Sequence, residues 1–350
     1  MKYEPHDYQR YAIAFIESHP VSAVLLDMGL GKTSITLTAI NDLLFDSFLV
    51  HKVLIIAPLR VARTTWTAEV DKWNHLQNLI CSVAVGTESE RRNALLKRAD
   101  IYIINRENIG WLVEESGVLF DYDMIVIDEL SSFKNHKAKR FKSLMKVRPT
   151  VNRIVGLTGT PAGNGLMDLW AEFRLLDMGQ RLGRFISRYR DKFFIPDKRN
   201  GQIVYSYKPL PNAEKAIYEA ISDITISMKA ADHLNMPELI STDYLVDMDD
   251  KEREIYERFK KNLVIELSSD KELTASNAAT LSGKLSQMAN GAVYDEAGKC
   301  CRIHDRKMDA LEDLIESANG KPVLVAYWFR HDLIRIMERL KKAGVYFCVI

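Results

Sequence analysis

Val21-Ser22-Ala23-Val24-Leu25-Leu26-Asp27-Met28-Gly29-Leu30-Gly31-Lys32-Thr33 decides the fold. An apolar run of strand length leads into a glycine-rich turn, and residues 33–43 then carry helical periodicity. A strand, such a turn and a helix, in that order, expose successive backbone N–H groups at a helix N-terminus. The partial positive charge there favours an anion. Gly29 and Gly31 let the backbone approach phosphate oxygens, with Leu30 between them and Ser34 closing the cradle. Lys32 is placed to reach the β- and γ-phosphates, and Thr33 to set its hydroxyl on magnesium. The looser pattern G-x-x-x-x-G-K-T is incomplete, because Leu26 stands at its first glycine.

Two later strings give this turn a context. Ile125-Val126-Ile127-Asp128-Glu129 is a second apolar run, and it ends in paired carboxylates. Asp128 can hold magnesium, and Glu129 can orient or deprotonate the water that attacks a γ-phosphate. Leu157-Thr158-Gly159-Thr160-Pro161 follows a third run, with Thr158 and Thr160 offering hydroxyls on either side of Gly159. Taken singly, the second string is an ordinary acidic strand end, and the third is a Ser/Thr turn whose proline opens a helix. Taken in order, they describe a site for a nucleoside triphosphate and its magnesium ion, Mg2+. A small-molecule kinase reading leaves the third string unexplained.

Residues 21–26, 53–57, 101–104, 124–127 and 154–157 read as buried strands separated by helical patterns. That alternation predicts an α/β fold with a parallel sheet covered by helices on both faces. Ligands in such sheets sit at the carboxyl ends of the strands, where all three strings lie. After residue 176 the pattern changes. Residues 195–211 read as an irregular connection, 213–231 as helix, 242–246 as a strand, and 251–267 and 272–288 as helices. Residues 290–303 read as a loop, 307–317 and 331–342 as helices, and 323–327 and 345–350 as strands. The expected organisation is an ATP-binding lobe over 1–176, a helical insertion and inter-lobe region over 177–306, and the start of a second lobe over 307–350. Two apolar strands with an unpaired edge predict that the sequence is a piece of something longer.

Lysine and arginine (48) nearly balance aspartate and glutamate (47), so any attraction to a polyanion must be local. The four cysteines show no framework spacing, which predicts a reducing cytoplasm. No run reaches the length of a membrane span. Cys300, Cys301 and His304 lack the further ligand that a zinc site needs.

The order of these strings resembles the Swi/Snf branch of superfamily-two helicases. That branch reads D-E-M-G-L-G-K-T where this chain has Asp27–Thr33. Its next motif is matched by Ile55-Ile56-Ala57-Pro58-Leu59 and by Trp66-Thr67-Ala68-Glu69. Its D-E-A-H and K-N elements correspond to Asp128-Glu129-Leu130-Ser131 and Lys134-Asn135. Its L-T-G-T-P-x-x-N is matched through Asn164, with Leu169-Trp170 following. Pro5-His6-Asp7-Tyr8-Gln9 resembles the branch's glutamine motif, which makes Gln9 the expected adenine contact.

The resemblance implies a RecA-like lobe, an incomplete second RecA-like lobe, and an ATP-driven motor on DNA, duplex by preference. It implies coupling roles for Ser131, which replaces the branch's histidine, and for Thr158, Gly159 and Thr160. It places phosphate-backbone contacts at Arg60, Arg63, Asn105 and Arg106. A basic stripe of Arg181, Arg184, Arg188 and Lys192 at helical spacing adds Arg184 and Arg188. The branch's later motifs, with their arginines, have no counterpart before residue 350. A downstream segment or another polypeptide is therefore expected to complete the second lobe. The competing reading is a nucleotide-responsive DNA-binding module with little hydrolysis of its own.

Overall fold

The five apolar runs form five parallel strands, and the ladder that joins them sets where the motifs fall. The structure is a computed structural model of the chain. It describes residues 1–159, 165–200, 203–234, 240–262, 264–268, 271–274, 278–295 and 297–349. Two compact units are present, Met1–Glu238 and Leu239–Ile350.

In the first unit the central strands are β1 (Val21–Leu26), β2 (Val53–Ala57), β3 (Cys81–Ala84), β4 (Ile101–Asn105), β5 (Met124–Asp128) and β6 (Arg153–Thr158). A hairpin of β7 (Phe194–Asn200) and β8 (Ile203–Pro209) follows, and then β9 (Thr225–Met228). The sheet runs β3-β4-β2-β5-β6-β1-β9, every pair parallel. Successive strand residues point to opposite faces, and both faces are buried. Ala23, Leu25, Leu54, Ile56, Ile125, Ile127 and Ile154 enter one core. Val24, Leu26, Val53, Ile55, Met124, Val126 and Leu157 enter the other. The residues of β5 from Met124 to Ile127 have no solvent exposure, and each such side chain contributes roughly 2 kcal/mol of burial.

The second core is covered by α1 (Asp7–Ser18), α2 (Lys32–Phe45) and α3 (Trp66–Lys72). The first is covered by α4 (Glu88–Leu96), α5 (Ile109–Glu114), α6 (Lys139–Val147), α7 (Leu169–Asp177), α8 (Ile186–Phe193) and α9 (Ala213–Ile221). A short α10 (Ala230–His233) ends the described part of this unit. Two buried arginines tie down helix ends, Arg153 from β6 and Arg148 from the turn that precedes it. Arg153 donates to Ile16 O at 2.8 Å, and Arg148 to Leu176 O at 2.6 Å, satisfying carbonyls that a helix terminus leaves open.

Several elements differ from the sequence reading. The helix expected over 213–231 stops at Ile221, and Thr225–Met228 turns into β9, because the open edge of β1 offers a ladder that helical periodicity does not reveal. The connection over 195–211 is the β7–β8 hairpin, with its register shifted between Pro196 and Lys198. A two-stranded ribbon has only edges, where proline is tolerated. The basic stripe is not one helix: α8 starts at Ile186, leaving Arg181 and Arg184 in the turn before it.

In the second unit, α11 (Asp250–Asn262) precedes a hairpin of β10 (Val264–Ser268) and β11 (Lys271–Thr274). There follow α12 (Ala278–Ala289), a hairpin of β12 (Ala292–Tyr294) and β13 (Cys300–Arg302), α13 (Arg306–Ser317) and α14 (Arg330–Lys342). The loop expected over 290–303 is thus a hairpin, and the helix expected over 272–288 begins only at Ala278. Residues 242–246, 323–327 and 345–349 form no ladder among the described residues. An apolar run is a strand only when a neighbour accepts its backbone hydrogen bonds. Phe259, Met288, Val293 and Cys301 form this unit's core. Buried Arg335 bonds Asn290 O and His304 O, each at 2.6 Å.

Candidate active site

Three adjoining strand ends bring the motifs together. Asp128 on β5 is level with Leu157 on β6, and Thr158 on β6 is level with Leu25 on β1. With strands about 4.8 Å apart, the acidic pair, Thr158 and the start of the glycine turn share one edge of the sheet.

The turn between β1 and α2 has the backbone its glycines predict. Gly29 has φ +87° and Gly31 φ +81°, a region costly for residues with a Cβ. Leu30 between them is fully buried, so an apolar side chain fixes the turn to the core. Ser34 Oγ donates to Gly31 O at 3.0 Å. Lys32 Nζ donates to Leu26 O at 2.6 Å and to Asp27 O at 3.2 Å. Burial pulls the Lys32 ammonium below the usual lysine range, while Asp128, Glu129 and Asp27 pull it back up. The same lysine therefore feels both carboxylates of the second motif. Gly159 closes the third side: a Cβ there would stand 3.4 Å from Leu26 O and 3.7 Å from Lys32 Nζ.

On the acidic side, Glu129 itself has φ +65°, which turns the chain sharply at the strand end. Its Oε1 accepts from Thr158 Oγ1 at 3.0 Å and also from Ser131 Oγ. Trp66, fully buried, donates its indole N–H to Asp128 Oδ2 at 3.0 Å. Burial raises the Asp128 carboxyl above its ordinary range, against the lowering influence of the Trp66 bond; Glu129 adds to the rise and Lys32 opposes it. Asp128 and the Thr33 hydroxyl are hard oxygen donors of the kind magnesium takes, and the glycine cradle leaves backbone N–H groups for phosphate. The residues fit a magnesium-nucleotide.

Beside the turn lies a cleft of about 300 Å3 lined by Tyr3, His6, Gln9, Gly31, Thr33, Ser34, Thr65, Glu69, Lys72 and Trp73. Gln9 is held at its edge: Nε2 donates to Leu30 O at 3.2 Å, and Oε1 accepts from His6 N at 3.0 Å. Its amide is thereby oriented against the glycine turn.

The other sequence candidates lie apart from this cluster or are already engaged. Thr160 and Asn164 fall outside the described residues. Arg60 and Arg63 are exposed on the turn after β2. Asn105 is buried, donating to Glu107 Oε2 at 2.9 Å and accepting from Asn108 at 2.5 Å; Arg106 pairs with Glu107 at 2.9 Å. Arg184 and Arg188 are exposed, and Arg181 is taken up by Asp177 and Asp223. Sequence reasoning named Trp66 as part of a motif but gave it no partner. It did not name Glu172, which is fully buried on α7 with neither carboxylate oxygen hydrogen-bonded. The signal was there: Glu172 sits among Leu169, Trp170, Phe173 and Leu176, on the apolar side of a helix that also carries Arg174 and Asp177.

A family model described as the SNF2-related domain matches residues 8–296. Putative protein p41 of Acyrthosiphon pisum secondary endosymbiont phage 1 is 37% identical over 347 residues, covering 97% of this chain and 75% of that protein. The DNA excision repair protein ERCC-6-like of Mus musculus is 30% identical over 189 residues, 51% of this chain but 15% of its own length. The Sulfolobus solfataricus SWI2/SNF2 ATPase core in complex with dsDNA shares the fold, with a TM-score of 0.58 and 22% identity over 98% of this chain and 70% of that one.

Proposed function

The chain belongs to the SNF2-related domain family, and on that premise we propose that it hydrolyses ATP to move along duplex DNA. The family is one of DNA-dependent ATPases, ATP-driven motors associated with DNA. The observation that carries the reading for this chain is the convergence on Glu129. One of its oxygens gathers the Ser131 and Thr158 hydroxyls, while Lys32 and Asp128 lie in the same electrostatic neighbourhood.

In this reading Lys32 leaves the carbonyls of Leu26 and Asp27 and meets the β- and γ-phosphates. Backbone N–H groups of the glycine turn hold the phosphate oxygens. Asp128 and Thr33 hold magnesium, which supplies charge neutralisation on those oxygens when bound. Glu129 accepts a proton from the attacking water, held in place by Ser131 and Thr158. Thr158 ends the strand between β5 and β1, so a change at the γ-phosphate reaches the segment that follows it. Gln9 reads the base. Arg60, Arg63, Arg184 and Arg188 contact the DNA backbone, independent of sequence.

The test is phosphate release by the full chain with and without duplex DNA, alongside ATP-dependent displacement of a third strand from a triplex. Glu129→Gln is expected to keep ATP binding and lose hydrolysis by roughly 10²–10⁴-fold. Unchanged DNA-stimulated hydrolysis in that variant would remove Glu129 as the base. Hydrolysis without third-strand displacement would reject movement.

A further inference from the structure

Trp66 has one hydrogen-bond donor, and it spends that donor on Asp128 at 3.0 Å. The residue opens α3, and the five residues before it, Val61–Thr65, wind as a π-helical turn. Such turns are rare and concentrate at functional sites. Arg60 flanks this one and Arg63 lies within it, both exposed, while Ala62 is buried beneath. Thr65, Glu69, Lys72 and Trp73 of the same segment line the cleft beside the glycine turn. One continuous stretch, 60–73, thus shows two guanidinium groups to solvent, forms a wall of the nucleotide cleft, and points an indole N–H at the carboxylate assigned to magnesium.

We propose that Trp66 is a positioning residue that fixes the Asp128 carboxylate for magnesium and carries the state of the Arg60–Arg63 turn to it. The inference rests on the assignment of Asp128 and the two arginines made above. A phosphate backbone engaging Arg60 and Arg63 bears on a turn with non-standard winding. The next residue along is the one whose N–H meets Asp128 Oδ2. Metal binding and nucleic-acid binding are then linked equilibria, and the linkage runs equally in both directions.

The probe is a magnesium titration of a fluorescent N-methylanthraniloyl ATP bound to the full chain, with and without a duplex oligonucleotide. It compares the native protein with Trp66→Phe, Trp66→His and Asp128→Asn. In the native protein the duplex shifts the magnesium midpoint. Trp66→Phe is expected to raise that midpoint about tenfold, as loss of a charge-assisted bond implies, and to reduce the duplex-induced shift below about twofold. Trp66→His, which keeps a ring N–H, is expected to restore part of both. A Trp66→Phe protein with the native midpoint and the native shift, beside an impaired Asp128→Asn, overturns this proposal alone. An Asp128→Asn protein with the native midpoint instead overturns the metal assignment beneath it. Should Trp66→Phe fail to fold, the Trp66 indole 15N–1H resonance of the native protein decides. Movement on adding magnesium and ATP, and again on adding duplex, supports the coupling; a resonance unmoved by both rejects it.

Discussion

Gly31 shows how little freedom single residues have at this site. A Cβ there would stand 2.7 Å from Gln9 Nε2, on a backbone that already has φ +81°. Gly31→Ala is therefore expected to displace the Gln9 amide proposed to read the base and to weaken ATP binding at least tenfold, measured by titration with the fluorescent nucleotide. Lys32→Ala should weaken the same binding more, since the proposed mechanism assigns the turn's ammonium to the phosphates. Glu172 makes a prediction of a different kind. Burial pushes its carboxyl up to about 9, with Asp168 and Glu129 adding to the rise and Lys134 opposing it; the Tyr218 hydroxyl also faces it. The folded protein keeps this proton and the unfolded chain loses it above the ordinary glutamate value of 4.5. Stability from this group is complete below 4.5 and drains as pH rises toward about 9, at most on the order of 1 kcal/mol per pH unit. Glu172→Gln should flatten that decline, so the variant's melting temperature exceeds the native one by a margin that widens from pH 6 to 9. Equal melting curves across that range would show the carboxyl to be no more than ordinary. At this scale the sequence disclosed Gly29, Gly31, Lys32, Asp128 and Glu129, which the fold brings together, because the chemistry proposed for them restricts residue type. It did not disclose Trp66 meeting Asp128 across 62 positions, since a tryptophan in a helical pattern has no visible partner.

Elements were legible where burial on both faces imposes continuous apolar runs, as in β1, β2 and β5. They were illegible where a neighbour decides. Thr225–Met228 falls within the helical periodicity of 213–231, yet it pairs with β1 over Ala23–Leu26. Asp27 secures that addition: its N–H donates to Met228 O at 3.2 Å, and its Oδ2 accepts from Ala230 N at 2.9 Å. The first residue of the glycine turn is thus also the clasp of the edge strand. Asp27→Ala should leave the Ala230 N–H unpaired, cost about 1–3 kcal/mol in urea unfolding, and speed hydrogen exchange in β9 ahead of β5. Uniform exchange across both strands would count against the clasp. The short ladders of β10 to β13 were missed for a related reason, because three to five residues give too little alternation to set against helical spacing.

Across the whole molecule, charge separates general from local attraction. With 48 basic against 47 acidic side chains, nothing draws a polyanion from a distance, and the affinity must come from clustered arginines. The basic run at 134–146 is largely committed to the fold: Lys134 pairs with Asp168, Lys139 with Glu115 and Lys146 with Glu114. The exposed Arg60 and Arg63 are less committed, with Arg63 only helping to lower the Glu90 carboxyl. Duplex affinity should fall with added salt, and the slope of log K against log salt should drop by about 0.9 for each of Arg60→Ala and Arg63→Ala. Native slopes in both variants would place the contact elsewhere.

Lys32 already lies against two main-chain oxygens. Folding has half-buried this ammonium and supplied substitutes for part of its hydration. In the proposed mechanism an incoming polyphosphate trades places with those oxygens; it does not have to dehydrate a cation projecting into bulk water. On that mechanism the side chain has somewhere to return to when product leaves, and the turn need not be rebuilt between cycles.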